Sequence, residues 1–255
     1  MVASADRGET LVGFGNDDAP VGKFSVADPR YVDFSPEDIA TVQTVWSYTV
    51  TSPERIFALI RSAEYVVENS ISGDIVECGV WRGGSMMVVA RTLVSLRRDD
   101  RILWLYDTFA GMTAPGEDDV GFDGEAARTE FDRRRTGEGS STWAAAALDE
   151  VRENLSSTGY PQEMLRFIEG PVEQTIPREL PDAISILRLD TDWYSSTRHE
   201  LEHLYPRLVP GGVLIIDDYG HWRGSRKATD EYFAQAGARP LLNRIDYSAR
   251  IMVKS

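Results

Sequence analysis

Cysteine is almost absent from this chain of 255 residues: Cys78 is the only one. An internal disulfide is therefore excluded, and a reducing cytoplasm is the expected setting. Basic charge is also scarce, with 27 Lys and Arg against 41 Asp and Glu, a formal net charge of −14. That balance argues against nucleic acid and anionic membrane as partners, because both select clustered Lys and Arg. Its plain reading is solubility. No apolar run reaches membrane-spanning length, and no charged-then-apolar leader is legible. Internal repeats and low-complexity tracts are missing too. What remains is an ordinary globular composition, long enough for one large domain with a substantial core.

Met1 to about Asp33 is rich in Gly, Asp, Ala and Ser without periodicity, and reads as an extended arm that orders only by packing on something. Ser35-Pro36-Glu37-Asp38 and Ser52-Pro53-Glu54-Arg55 each read as a helix start, with Pro at the first helical position. The second opens a helix with Ile56, Leu59, Ile60 and Ala63 on one face. From there strands alternate with helices. Strands are predicted at Asp74 to Cys78, Ile102 to Tyr106, Leu165 to Ile168, Ile184 to Leu189 and Val213 to Ile216. A hairpin-like pair follows near Pro240 to Ile245 and Ala249 to Val253. Helices are predicted through Met86, Val89 and Leu93, then over Trp143 to Ser156, Ser196 to Leu208 and Arg226 to Gln235. This alternation implies a mostly parallel seven-stranded α/β sheet covered by helices on both faces. Ligands of such folds bind outside the carboxyl ends of the strands. The division is an N-terminal arm and helix, 1–50, and a main domain, 51–255. A long polar segment from about Phe109 to Ser141 inside that domain reads as a lid.

Acidic residues cluster at the predicted carboxyl ends. Val213-Leu-Ile-Ile216 runs into Asp217-Asp218-Tyr219, and Ile184 to Leu189 runs into Asp190-Thr191-Asp192. Burying such charge alone is costly. One strand–helix–strand unit separates Asp190 from Asp217, so adjacent parallel strands can set them side by side as oxygen ligands for a hard divalent cation. Capping alone would not account for acidic positions at two strand ends. The first strand leads into Glu77-Cys-Gly79-Val-Trp-Arg-Gly83-Gly84-Ser85, where glycines allow close backbone approach at a helix N-terminus. The spacing is not G-x-G-x-x-G, so a nicotinamide cofactor fits poorly. Glu77 and Asp107, at the end of the next strand, suit ribose hydroxyls. A nucleoside carrying a carboxylate fits better than one carrying a pyrophosphate.

His199-Glu-Leu-Glu-His203 matches the zinc-protease pattern H-E-x-x-H. Leu201, Leu204, Tyr205 and Leu208 form an apolar stripe that turns both histidines towards solvent, and no third ligand follows. Asp190-Thr-Asp192 also matches the D-x-D of nucleotide-sugar transferases and phosphatases, although in phosphatases it follows the first strand. His221 is either a base or substrate contact, or a loop histidine.

Taken together, these blocks resemble the macrocin O-methyltransferase family. The likeness rests on Thr51-Ser-Pro-Glu-Arg55, Glu77 to Gly84, Asp107-Thr-Phe-Ala-Gly111 and Leu189-Asp-Thr-Asp-Trp-Tyr-Ser195. It continues through His203-Leu-Tyr-Pro-Arg207 and Asp217-Asp-Tyr219 to Arg226-Lys-Ala-Thr-Asp-Glu-Tyr232. The resemblance implies a Rossmann-like methyltransferase that uses S-adenosylmethionine and magnesium on a sugar hydroxyl of an antibiotic glycoside, and that assembles as a homodimer or larger oligomer. It implies that Thr51, Glu77, Gly79, Gly83, Gly84, Ser85, Asp107, Thr108, Phe109, Gly111 and Asp190 contact the cofactor. It further implies that Asp190, Asp217 and Asp218 hold the metal, with Asp190 as general base. Thr191 and Trp193-Tyr-Ser195 depart from the family's usual small residue and Leu-Tyr-Glu. A catechol-type methyltransferase and a non-catalytic cofactor-binding protein are the alternative readings.

Overall fold

A computed structural model describes Phe24, Ser25 and residues 28–137 and 140–255. The expected arm over Met1 to Asp33 thus lies largely outside the described residues. Its last part is packed: Asp28 caps a short 3-10 turn at Pro29–Tyr31, and Tyr31 is buried between the rings of Phe24 and Phe34.

Seven strands form the main sheet. They are β1 (Asp74–Cys78), β2 (Leu103–Asp107), β3 (Leu165–Glu169), β4 (Ile184–Leu189), β5 (Leu208–Ile216), β6 (Asn243–Arg244) and β7 (Arg250–Val253). Their spatial order is β3-β2-β1-β4-β5-β7-β6. The first five run parallel, while β7 pairs antiparallel with β5 and β6 with β7. The order reverses direction between β1 and β4, the place where open α/β sheets leave a crevice for ligands.

The helices are α1 (Pro36–Val45), α2 (Pro53–Glu68), α3 (Gly84–Ser95), α4 (Ala127–Arg133), α5 (Leu148–Ser156), α6 (Val172–Thr175), α7 (Tyr194–His203) and α8 (Arg223–Gln235). Ser35 and Asp38 form a reciprocal capping box on α1, and Ser52 accepts the Arg55 amide on α2, as the Ser-Pro signals predict. Alternating strand residues feed two cores. Ile75, Leu103, Ile186 and Ile215 pack with α1, α2, α3 and α5; Val76, Leu187, Leu214 and Ile216 pack with α7 and α8.

Three boundaries differ from the sequence reading by five residues. The helix expected from Trp143 begins only at Leu148, despite the high helix propensity of Ala144 to Ala147. Ala144 has a φ of +50°, the Trp143 carbonyl accepts the Met112 amide, and the Trp143 ring packs on Trp193 and Trp222. Tertiary packing of one tryptophan overrides the alanines. α7 ends at His203, because Pro206 enforces a 3-10 turn over Tyr205–Arg207. Leu208 then opens β5, five residues ahead of the predicted strand.

The segment expected as a lid contains α4 and a short ribbon, Arg135–Gly137 with Ser140–Ser141. Asp119, 1% exposed, tethers it. Its carboxylate accepts the Gly116 amide at 2.7 Å and the Tyr194 amide at 2.8 Å. It thereby caps α7, whose own N-cap residue, Trp193, offers no side-chain acceptor. Trp193 Nε1 donates to the Thr113 carbonyl at 3.0 Å, and Gly121 forms a β-bridge to Trp222.

Candidate active site

A cleft of about 1020 Å³ opens at the carboxyl edge of the sheet. Its floor carries the acidic clusters. Leu189 pairs with Ile216 in the β4–β5 ladder, so Asp190 and Asp217, the next residue on each strand, emerge side by side. Asp190, Asp217 and Asp218 each present an oxygen, and these atoms lie within 4.8 Å of one another. Among the described residues this is the group of carboxylates, imidazoles and thiols that could hold a metal ion.

Beneath the carboxylates sits a residue the motif reading passed over. Arg188 lies inside β4 with its side chain 5% exposed. Its Nη1 donates to Glu77 Oε1 and to Asp190 Oδ2, and its Nη2 to Asp217 Oδ1, each at 2.6 Å. A lone Arg in an otherwise apolar strand, between two acidic strand ends, was the available signal. From the other side Arg55, on the first turn of α2, pairs with Asp217 Oδ2 and bonds Asp246 at 2.7 Å.

Two guanidinium groups face a larger set of carboxylates, Glu77, Asp190, Asp192, Asp217, Asp218 and Asp246. The surplus shows in their ionisation. Burial pushes Asp190 and Asp218 well up, aided by the neighbouring carboxylates. Asp192 is pushed up to about 8 by burial and by Asp190, while Trp222 Nε1 donates to it at 2.7 Å. Asp217 alone moves down, because Arg188 and Arg55 together outweigh its burial. Asp217 is held ionised by its two arginines, while Asp190, Asp192 and Asp218 would need a further cation to ionise beside it. Three converging carboxyl oxygens fit a hard divalent cation in that place.

The residues expected to contact the cofactor divide into two groups. Thr51, Gly79, Gly84, Ser85, Asp107, Thr108, Gly111 and Asp190 border the cleft. Thr51 has a buried hydroxyl with no partner among the described residues. Glu77, Gly83 and Phe109 are not among the residues that border it. Glu77 lies in β1, 1% exposed, and is engaged by Arg188 rather than available to a ribose. Gly83 is the N-cap of α3 at φ +89°, beneath Leu155 and Val151. Phe109 belongs to the hydrophobic core. Asp107 organises the loop: its Oδ2 accepts the amides of Val80 at 2.6 Å and Trp81 at 2.9 Å, and its Oδ1 that of Phe109 at 2.8 Å.

Two of the glycines answer to backbone packing. A Cβ on Gly79, at φ +82°, would stand 1.9 Å from the Asp190 carbonyl oxygen, and one on Gly84 would stand 2.4 Å from that of Tyr48. Unforeseen wall residues include Gly170, Pro171, Val172 and Glu173 after β3, and Phe24, Trp46 and Tyr48.

The H-E-x-x-H residues are not turned to solvent as expected. His199 Nε2 is 2.7 Å from the Ile176 carbonyl, and the His199 and His203 rings lie 4.2 Å apart, both half-buried. Glu200 is fully buried and accepts the Thr191 hydroxyl at 2.8 Å. α7 packs these side chains against neighbouring backbone, leaving no open site for zinc.

The sequence profile described as Macrocin-O-methyltransferase (TylF) matches residues 30–254. The chain is 34% identical over 200 residues to demethyldecarbamoylnovobiocin O-methyltransferase of Streptomyces niveus, covering 78% of this chain and 73% of that protein. It is 32% identical over 234 residues to the 4'-O-methyltransferase of 8-demethyl-8-(2,3-dimethoxy-alpha-L-rhamnosyl)-tetracenomycin C of Streptomyces olivaceus, covering 90% and 83%. The solved structure of the O-methyltransferase NovP superposes with a TM-score of 0.72 at 31% identity, covering 82% of this chain and 83% of that one. The chain belongs to the macrocin O-methyltransferase family.

Proposed function

We propose that this O-methyltransferase acts on a hydroxyl of a deoxysugar carried by a glycosylated natural product, with a divalent cation, magnesium in the first instance, held by Asp190, Asp217 and Asp218. The observation that carries this is the triad of converging carboxyl oxygens at the floor of the cleft, which would need a further cation to ionise together. The relatives named as demethyldecarbamoylnovobiocin and rhamnosyl-tetracenomycin O-methyltransferases support the choice of acceptor.

A sugar hydroxyl is a weak nucleophile because its pKa lies far above neutral. A divalent cation at the triad would lower that pKa and orient neighbouring hydroxyls. S-adenosylmethionine supplies an electrophilic methyl group on sulfonium. The protein's own residues do the rest. Arg188 fixes one oxygen of Asp190, which borders the cleft. With a cation held at the triad, Asp190 would be ionised and able to accept the hydroxyl proton. Arg188 and Arg55 hold Asp217 ionised and immobile. The lid segment, tethered through Asp119, borders the cleft and would limit the entry of water there. This reading places the enzyme in the cytoplasm as a homodimer or larger oligomer.

The test is acceptor profiling with S-adenosylmethionine, using a rhamnosyl glycoside and a catechol, with and without chelator. Methylation of the glycoside, lost in chelator and lost in Asp190→Asn with the fold intact by circular dichroism, is expected. Full activity in excess chelator would remove the metal from the mechanism. Turnover of catechol alone would replace the sugar reading.

A further inference from the structure

Phe122 sits on the lid segment with 41% of its surface exposed, and it borders the cleft. Its ring is 5.3 Å from that of His221 at 60°, and 5.7 Å from that of Tyr247 at 68°. His221 and Tyr247 lie 5.9 Å apart at 75°, with His221 Nδ1 3.0 Å from the Tyr247 hydroxyl. All three residues border the cleft. Rings set at such angles enclose a corner, whereas a planar ligand is best held between parallel faces.

The corner is tied to the carboxylate triad on both sides. The His221 amide donates to the Asp218 carbonyl at 3.0 Å, and that of Trp222 to the same oxygen at 2.9 Å. Ser248, next to Tyr247, donates its hydroxyl to the Asp217 carbonyl at 2.7 Å. His221 and Tyr247 therefore cannot move without the triad. Phe122 arrives separately, on the lid, through the bridge from Gly121 to Trp222. Neither sheet packing nor the core requires Phe122 where it is.

We infer that Phe122, His221 and Tyr247 form the seat for the acceptor's sugar ring, taking the apolar C–H face of a 6-deoxyhexose while its hydroxyls turn to the carboxylates. The inference rests on the deoxysugar reading given above. A pyranose chair presents axial hydrogens and, in a 6-deoxyhexose, a methyl group, which fill a three-sided apolar corner. A hexose with a 6-hydroxyl would bring that group against aromatic carbon and lose a hydrogen bond to water. Phe122 closes the seat only with the lid in place, so it selects acceptors rather than assembling the reacting groups.

The experiment measures KM and kcat with p-nitrophenyl α-L-rhamnoside and p-nitrophenyl α-L-mannoside for the wild type, Phe122→Ala and Phe122→Trp. Affinity for S-adenosylhomocysteine is measured alongside by calorimetry. Expected is a preference of the wild type for the rhamnoside and a rise of about tenfold in its KM in Phe122→Ala, the larger share of the loss. Recovery in Phe122→Trp and unchanged S-adenosylhomocysteine affinity complete the expected result. An unchanged KM in Phe122→Ala, with the wild type active on the rhamnoside, would overturn the seat and leave the deoxysugar reading standing. A wild type that binds S-adenosylhomocysteine and methylates neither glycoside would overturn both.

Discussion

Replacing Arg188 with methionine keeps an unbranched apolar stem and removes the guanidinium that Glu77, Asp190 and Asp217 share. Breaking a buried ion pair by deleting one partner costs about 3–5 kcal/mol. Glu77 supplies a separate scale. Burial pushes it from 4.5 up to about 7 against the pull of Arg188, so its ionised form already costs about 3 kcal/mol above neutral pH. Without Arg188, Glu77 and Asp190 rise further. A carboxyl raised in the folded state contributes no penalty below its unfolded value, and the penalty grows as pH rises towards the folded value. The wild type carries the same penalty up to about pH 7, where its own Glu77 ionises, so most of the extra deficit in the variant must develop above about pH 7. A smaller part persists at pH 5, because Asp217, held low by Arg188 and Arg55 against its burial, loses one of those partners. For a chain of this size 1 kcal/mol corresponds to about 2–4 °C, so Arg188→Met should melt roughly 10 °C or more below the wild type at pH 9. Thermal unfolding followed by circular dichroism at pH 5 and pH 9 reads this directly. Equal deficits at both, or none at pH 9, would refute the role of Arg188 as the counter-charge beneath the triad.

Two further outcomes follow from the lid and from His221. Asp119→Ala leaves the Gly116 and Tyr194 amides without their acceptor, at about 1–3 kcal/mol each, so limited trypsin digestion should cut after Arg128 or Arg133 several-fold faster than in the wild type. Unaltered cleavage would mean that the tether does not hold the lid. His221 is pushed down to about 4 by burial and by the charge of Arg55, so it stays neutral from about pH 5 upward. His221→Gln should keep the shape of the pH–rate profile between about pH 5 and 8 even where the rate falls, and loss of an inflection there would show that the imidazole titrates.

Patterns of short range carried most of the fold. Ser-Pro signals marked α1 and α2, and apolar runs ending in acidic residues marked β4 and β5. The same runs brought Asp190, Asp217 and Asp218 together, because strand adjacency follows from one crossover unit. What escaped depended on contacts between distant segments. Trp143 breaks an alanine-rich helix by packing on Trp193 and Trp222, fifty and more residues away. Glu77 looked like a turn residue facing a ligand, yet its partner is Arg188 from another strand. Arg55 was visible as part of a motif, while its reach to Asp217 and Asp246 depends on how α2 packs across the sheet edge. Helical periodicity turned His199 outward, and a carbonyl from the segment after α6 covers it.

Gly79 has a consequence for mutational scanning. With its Cα pressed on the Asp190 carbonyl, any side chain there forces β1 and β4 apart at the point where the acidic floor begins. An inactive Gly79 variant would thus be scored as a cofactor contact when the fault lies in strand spacing. Sensitivity to substitution along this loop ranks positions by backbone clearance first, and Thr51, whose buried hydroxyl has no partner among the described residues, is the position where loss of binding reports on the ligand.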